Sequence, residues 1–344
     1  MAPEISVLLP AFNSESYLAE ATHSILNQTF EDLELLIIDD GSTDRTREIA
    51  ASISQQDSRV IVIEHNDNRG LAARLNEGIT LAKGEYIARM DADDVSVPDR
   101  FQLQVDYLKG HPDVALVGGF IRLFGGRRKC IIDVATDPHH IRWRLLFGNS
   151  MGHVTVMGRR AMFEDLGGYD ETLKVAQDYD LWLRASRRWH MANIPRVLVN
   201  VREDPASTSR RLSPERQRNA LGSLNKAQRD FLDSDIPLEV TMLSMYPTSL
   251  REDKSLREAA PAAAELIYRL AVAYLDTVDL SEADRRKVMA DARHKLAQLT
   301  LLQKGETRRL LLGERRTPLL RRRDLVMTTW RYLRNKVRMR LGRC

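Results

Sequence analysis

Tyr86-Ile87-Ala88-Arg89-Met90-Asp91-Ala92-Asp93-Asp94 is a short aliphatic run that stops at three carboxylates within four residues. Its length and composition suit a buried strand. Ile5–Leu9, Glu34–Asp39 and Val60–Glu64 have the same character. Helical periodicity fills the intervals between these runs. Tyr17, Leu18, Ala21 and Ile25 line one face after Asn13, and Thr46, Ile49, Ala50 and Ile53 do so after a Ser42/Thr43 cap. Leu71, Leu75, Ile79 and Ala82 continue the pattern from Gly70, and Pro98 suits the first turn of a fourth helix carrying Phe101, Val105 and Leu108. Strands alternating with helices at this spacing predict an α/β fold, with a mostly parallel sheet and helices on both faces. Such sheets bind ligands at the carboxyl ends of their strands.

Two acidic clusters fall at those ends: Asp39-Asp40-Gly41-Ser42-Thr43-Asp44 and Asp91-Ala92-Asp93-Asp94. The first is equally well read as a turn with a helix cap. The second is harder to explain structurally, because three crowded carboxylates repel one another unless a solvated turn or a cation relieves them. A hard divalent ion bridging to a diphosphate is the functional reading. Farther on, Asp178 precedes Tyr179, Leu181, Trp182 and Leu183, a pattern of a packed helix with an acidic first turn. By itself that charge is explained by the helix dipole.

The 344 residues allow one large domain with an appendage, or two domains. With 43% hydrophobic and 29% charged residues the composition is that of a soluble globular chain. No stretch approaches the ~20 apolar residues of a membrane span. The start runs directly into Ile5–Leu9 without the pattern of a signal peptide, and Cys130 and Cys344 are the two cysteines, so a reducing cytoplasm is expected. The net charge of +4 conceals an asymmetry: residues 308–344 hold 13 Lys/Arg against Glu314 and Asp324, a tail of +11 on a body of −7.

Residues 10–30 contain no glycine, which removes the glycine-rich turn of a dinucleotide-binding oxidoreductase, and no phosphate-binding P-loop occurs. A nucleotide-sugar pyrophosphorylase needs a basic glycine-rich loop that is also missing here. His139, His140 and His153 lack the spacing of a zinc site and read as ordinary polar histidines.

Taken in order, several segments resemble glycosyltransferase family 2, the GT-A fold. They are Val7-Leu8-Leu9-Pro10-Ala11-Phe12-Asn13, Asp39-Asp40-Gly41-Ser42, Asn68-Arg69-Gly70-Leu71 and Gly84-Glu85-Tyr86-Ile87, then Asp91-Ala92-Asp93-Asp94 with Pro98. His153, Gly167-Gly168-Tyr169 and Gln177-Asp178-Tyr179-Asp180-Leu181-Trp182 continue the match, which covers roughly residues 4–204. The resemblance implies an inverting transferase that moves a sugar from a nucleotide-sugar, UDP being the commonest nucleotide, to a hydroxyl of a glycan or lipid-linked acceptor. It places Pro10, Phe12, Asn13 and Asp40 around the base and Asp91 and Asp93 on the donor. Asp93 and Asp94 then fall at a Mn²⁺ or Mg²⁺ ion, Asp178 is the general base, and His153 and Trp182 lie on the acceptor side. Bacterial surface-polysaccharide assembly is the implied setting, and a catalytically inactive nucleotide-sugar-binding module is the alternative. The chain departs from the pattern at Gln177, where many relatives have Glu, at Val154 after His153, at Leu75 before Asn76, and at Asp204, where His is frequent.

The expected organisation is a catalytic domain over 1–205, a helical region over 206–307 and a basic amphipathic tail over 308–344. The divide lies near residues 203–214, where Pro205 and Pro214 flank a Ser/Arg-rich stretch. In the helical region Leu266, Leu270 and Ala273, then Val288, Ala292, Leu296 and Leu299, keep helical spacing. In the tail Trp330, Leu333, Val337 and Leu341 form one seam among basic residues. That seam fits a helix resting on anionic lipid at the inner face of the membrane; a solvated tail, or one packed on the acidic body, is the other reading. No nucleic-acid motif accompanies the charge.

Overall fold

The computed structural model describes residues 2–126, 130–203, 214–247 and 254–302, and these form two compact units. The first runs up to Ile141 and resumes from Asn149 to Arg216; the second takes Arg142–Gly148 and the described residues from Gln217 onward. The predicted tail at 308–344, and all but the ends of the predicted divide at 203–214, lie outside the described residues.

In the first unit β1 (Ile5–Ala11), β2 (Leu33–Asp39), β3 (Val60–Glu64) and β4 (Tyr86–Arg89) stand where the apolar runs predict them. They pair in parallel in the order β3-β2-β1-β4. The intervals are α1 (Leu18–Leu26), α2 (Thr46–Gln56) and α3 (Leu71–Leu81), and α4 (Arg100–Gly110) follows the sheet's acidic end. Strand residues alternate between faces. Val7, Leu9, Leu35 and Ile37 therefore share one core with Leu18, Ala21 and Ile25 of α1, Ala50 and Ile53 of α2, and Phe101, Val105 and Leu108 of α4. Leu8 and Ile38 meet α3 instead: a Cβ at Gly78 would lie 2.9 Å from Leu8 Cδ2 and 2.8 Å from Ile38 Cδ1.

Beyond β4 the sheet is mixed. It is completed by β5 (Val95–Ser96), β6 (Val114–Phe124), β7 (Ile131–Ile132), β8 (Met157–Arg159) and β9 (His190–Arg202). The full order is β3-β2-β1-β4-β8-β6-β9-β5, with β7 on β6. β8 is antiparallel to both of its neighbours, whereas β6 and β9 are parallel. Three short helices, α5 (Pro138–Leu145), α6 (Arg160–Asp165) and α7 (Gln177–Ala185), lie between β7 and β9 in sequence.

Two local expectations shift. Pro98 precedes α4 instead of entering its first turn; its carbonyl accepts the Thr29 N–H at 2.9 Å, and the helix begins at Arg100. Ser42 and Thr43 do not cap α2, because both are engaged by Asn13, and Asp44 Oδ1 accepts the Thr46 N–H at 3.0 Å in their place.

The second unit is helical: α8 (Pro214–Leu232) from Gln217 onward, α9 (Leu238–Met245), α10 (Ala260–Thr277) and α11 (Glu282–Leu302). The predicted apolar positions Leu266, Leu270, Val288, Ala292, Leu296 and Leu299 are buried in one core with Trp143 and Phe147 of the 142–148 segment. Buried Gln228 spans that core, donating to Leu146 O at 2.8 Å and accepting from Thr241 Oγ1 at 2.9 Å.

Candidate active site

The ends of β1 and β2 are tied together by side chains. Asn13, at φ +48°, donates its N–H to Ser42 Oγ at 2.9 Å and accepts the Thr43 N–H at 2.9 Å. Phe12 beside it is 48% exposed, an unusual state for a large aromatic that leaves its ring free to stack on a planar ligand. Pro10 lies in β1 opposite Ile38. Asp40 is buried, and its oxygens accept the Arg69 and Gly70 N–H groups at 2.8 and 2.9 Å and Arg74 Nε at 2.6 Å. Buried Arg74, which also reaches Asp67 O at 2.8 Å, compensates a carboxylate that would otherwise be costly to bury. Sequence reading missed Arg74, since an arginine on the inner face of a helix carries no local signal of its partner.

At the end of β4 the three carboxylates converge. Asp91, Asp93 and Asp94 offer oxygens within 4.8 Å of one another. Arg89, itself buried, grips Asp91 with both terminal nitrogens, Nη1 at 2.7 Å from Oδ2 and Nη2 on Oδ1. Asp94 is 2% exposed and accepts the Arg202 N–H at 2.8 Å; Arg202 Nε also bonds Asp93 O at 3.0 Å. The Arg202 guanidinium is held between the rings of Tyr17 and Phe124, at 4.2 and 4.5 Å. Burial and the Asp91 charge raise Asp93 above the usual carboxylate range. Burial, then Asp91 and Asp93, push Asp94 up to about 8. Beneath them fully buried Arg100 bonds Arg89 O at 2.9 Å and Gln104 Oε1 at 3.0 Å, and burial with Arg89 repulsion brings it down to about 9. A hard cation held by oxygens fits this set, because it relieves the repulsion that the arginines leave uncompensated. Arg89 occupies Asp91 and the Arg202 N–H occupies one oxygen of Asp94, whereas the Asp93 carboxylate is bonded by its own N–H.

The other wall is built from Gly167-Gly168-Tyr169, His153 and α7. Gly168 has φ +71°, and a Cβ there would meet Asn76 Oδ1 at 2.3 Å. That approach lets Asn76 accept the Tyr169 N–H at 2.8 Å and donate to Tyr169 O at 2.9 Å. Gly168→Ala should therefore destabilise the protein by ~1–3 kcal/mol through strain at positive φ, with activity lost in parallel; an unchanged melting temperature would argue that the loop is not so constrained. Tyr169 Oη lies 2.9 Å from His153 Nε2, and burial raises the phenol's pKa. Burial, with Arg89 adding to it, holds His153 well below the ordinary histidine range, so the ring is neutral. Trp182 stands behind His153. It is fully buried on the inner face of α7, edge-on to His153 at 6.0 Å, and backs that ring.

Asp178 stands in the first turn of α7, which starts after Ala176 at φ +64°. Burial raises its pKa, while the Tyr179 N–H, Arg216, Arg89 and Asn149 oppose the rise. Asn149 Nδ2 donates to Asp178 Oδ2 at 2.8 Å. Gln177 next to it is buried with Oε1 unpartnered, which a neutral amide tolerates better than a carboxylate would. Arg89 thus faces both carboxylate groups, bonding Asp91 and acting through charge on Asp178, His153 and Tyr169. A site with acidic ligand groups, one poised carboxylate and a neutral aromatic wall suits displacement at an anionic leaving group.

A family model described as glycosyl transferase family 2 matches residues 6–167. An uncharacterized glycosyltransferase of Haemophilus influenzae is 33% identical over 218 residues, spanning 60% of this chain and 68% of its own length. The amylovoran biosynthesis glycosyltransferase AmsE of Erwinia amylovora is 30% identical over 203 residues, 57% of this chain and 75% of its own. Among solved structures, residues 1–349 of Staphylococcus aureus TarS in complex with UDP-GlcNAc align with a TM-score of 0.57 at 17% identity, covering 96% of this chain and 92% of that one. The mannosyltransferase PcManGT of Pyrobaculum calidifontis, bound to GDP-Man and Mn²⁺, aligns at 0.52 and 16% identity over 91% and 87%. At such identities the two structures speak to the fold.

Proposed function

Because the chain belongs to glycosyltransferase family 2, we propose that it is a metal-dependent, inverting hexosyltransferase that moves a sugar from a UDP-sugar to a hydroxyl of a glycan or lipid-linked acceptor. The observation that carries this reading is Arg89, which joins the Asp91, Asp93 and Asp94 cluster to the wall that holds Asp178. Phe12 and Asn13, with the loop pinned by Asp40, receive the base. Asp93 and Asp94 hold Mn²⁺ or Mg²⁺, which when bound neutralises charge on the departing diphosphate. Asp178 takes the proton of the attacking hydroxyl. The acceptor oxygen bonds to the anomeric carbon as the bond to the diphosphate breaks, and the nucleoside diphosphate leaves with the electron pair. Attack from the opposite face inverts that carbon, and neutral His153 lines the acceptor side. A ligand that binds the native state raises its melting temperature, so a panel of nucleoside diphosphates with Mn²⁺ tests the reading. Stabilisation by at least one member, dependent on the metal, is the expected result; none across the panel would overturn it.

The setting is polysaccharide assembly, as the name of AmsE states for that relative. No helix among the described residues is long and apolar enough to cross a membrane. The enzyme works in the cytoplasm, at the inner face of the membrane, through the +11 charge and the Trp330–Leu341 seam of its tail. Deleting residues 308–344 should release it from anionic liposomes while donor hydrolysis persists. Binding of the full chain should also weaken as salt rises, since charge is screened over ~8 Å at physiological ionic strength. Equal flotation of both proteins would refute the membrane role.

A further inference from the structure

We infer that Asn149 is a positioning residue for Asp178, fixing the direction in which the carboxylate presents its free oxygen; this rests on the reading of Asp178 as the proton acceptor. The amide's own orientation is set independently. Asn149 Oδ1 accepts the Met151 N–H at 3.0 Å, and a backbone N–H is only a donor, so the oxygen must face Met151. Nδ2 is thereby turned to Asp178 Oδ2, 2.8 Å away. A carboxylate bonded through one oxygen cannot rotate freely, so its other oxygen is presented in one direction. Asn149 donates to the charged form, which favours ionisation against the burial that opposes it.

The other groups acting on Asp178 come from separate elements. Arg89 on β4 and Arg216 at the start of α8 are cationic and favour the carboxylate, as does the Tyr179 N–H within α7. Tyr169, in the glycine loop, is kept neutral by burial, with the Asp178 charge acting in the same direction. His153, bonded to Tyr169, is neutral as well. Both remain neutral across ordinary pH, so the Asn149 contribution is not masked by a titrating neighbour. Asn149 is exposed and lies outside the core, so its truncation leaves the packing of both units in place.

The test uses the full chain with ¹³Cγ-labelled aspartate, the Asp178 signal being assigned by its loss in Asp178→Asn. In Asn149→Ala the Asp178 titration midpoint should move to higher pH, because the charged form loses a donor. Asn149→Asp should move it further, by adding a like charge. Release of UDP from UDP-glucose or UDP-GlcNAc, with water as acceptor, should show its acidic limb displaced in the same direction, turnover at neutral pH reduced on the order of tenfold, and KM for the donor little changed. A role in folding alone would lower activity without moving either pH curve. An unmoved Asp178 midpoint in both variants, with unchanged near-UV circular dichroism, overturns the inference. A moved midpoint with an unmoved rate profile shows that the contact exists but that Asp178 is not the base, and the positioning role falls with that reading.

Discussion

Asp178→Asn is expected to lower turnover by about 10³-fold, within the ~10²–10⁴ that a positioned general base contributes, while donor affinity stays near that of the native enzyme. The substitution keeps shape and the contact to Asn149 but removes the ability to accept a proton. The neighbouring acids are poorly suited to replace it. Asp180 is paired with Arg184 at 2.8 Å, and Asp170 is held by the Thr172 hydroxyl and N–H at 2.7 and 2.9 Å, bonds that keep it below the usual carboxylate range. Single-turnover measurement with saturating donor separates loss of chemistry from loss of binding. Transfer near the native rate would remove Asp178 from the mechanism. The raised pKa of Asp178 adds a pH expectation: it is inactive when protonated, so the acidic limb of turnover should lie above the ~3.9 of an ordinary aspartate.

Asp93→Ala should cost metal-dependent donor affinity on the order of 10²-fold, since it removes an oxygen ligand from a set that needs several. Isothermal titration with a UDP-sugar, with and without Mn²⁺, reads this directly, and equal affinity in the variant and the native protein would exclude the metal site. The same cluster makes stability depend on pH. The folded-state pKa of Asp94, about 8, lies well above the ~3.9 of an aspartate in the unfolded chain. Between those values the native state keeps a proton that the unfolded chain has released, so stability falls as pH rises through that window. Added Mn²⁺ should restore much of the loss near pH 8, where a cation can replace the proton. Thermal denaturation at pH 5 and pH 8, each with and without the ion, measures both effects.

The four parallel strands, the helices between them and the helical second unit were legible in the sequence because each rests on a local period. Ile5–Leu9 and Tyr86–Met90 are short apolar runs, and Val288, Ala292, Leu296 and Leu299 recur at helical spacing, so burial follows from order along the chain. The acidic ends were equally plain, since Asp39 closes β2 and Asp91 stands two residues beyond the end of β4. Ordered motifs from Pro10 to Trp182 then sufficed for the family.

Tertiary structure alone decided how those charges are partnered. Asp40 meets Arg74 across 34 residues and Asp94 meets the Arg202 N–H across 108. Asn149 meets Asp178 across 29, and Gly168 admits Asn76 from α3. The antiparallel insertion of β8 beside β4, and the burial of Trp182 behind His153, likewise depend on which segments return to the sheet. Local period records which side of an element is apolar, because that side must leave water wherever the element packs. It does not record which distant group a buried charge will face, because that pairing exists only once the sheet has closed and the desolvated charges have had to find one another.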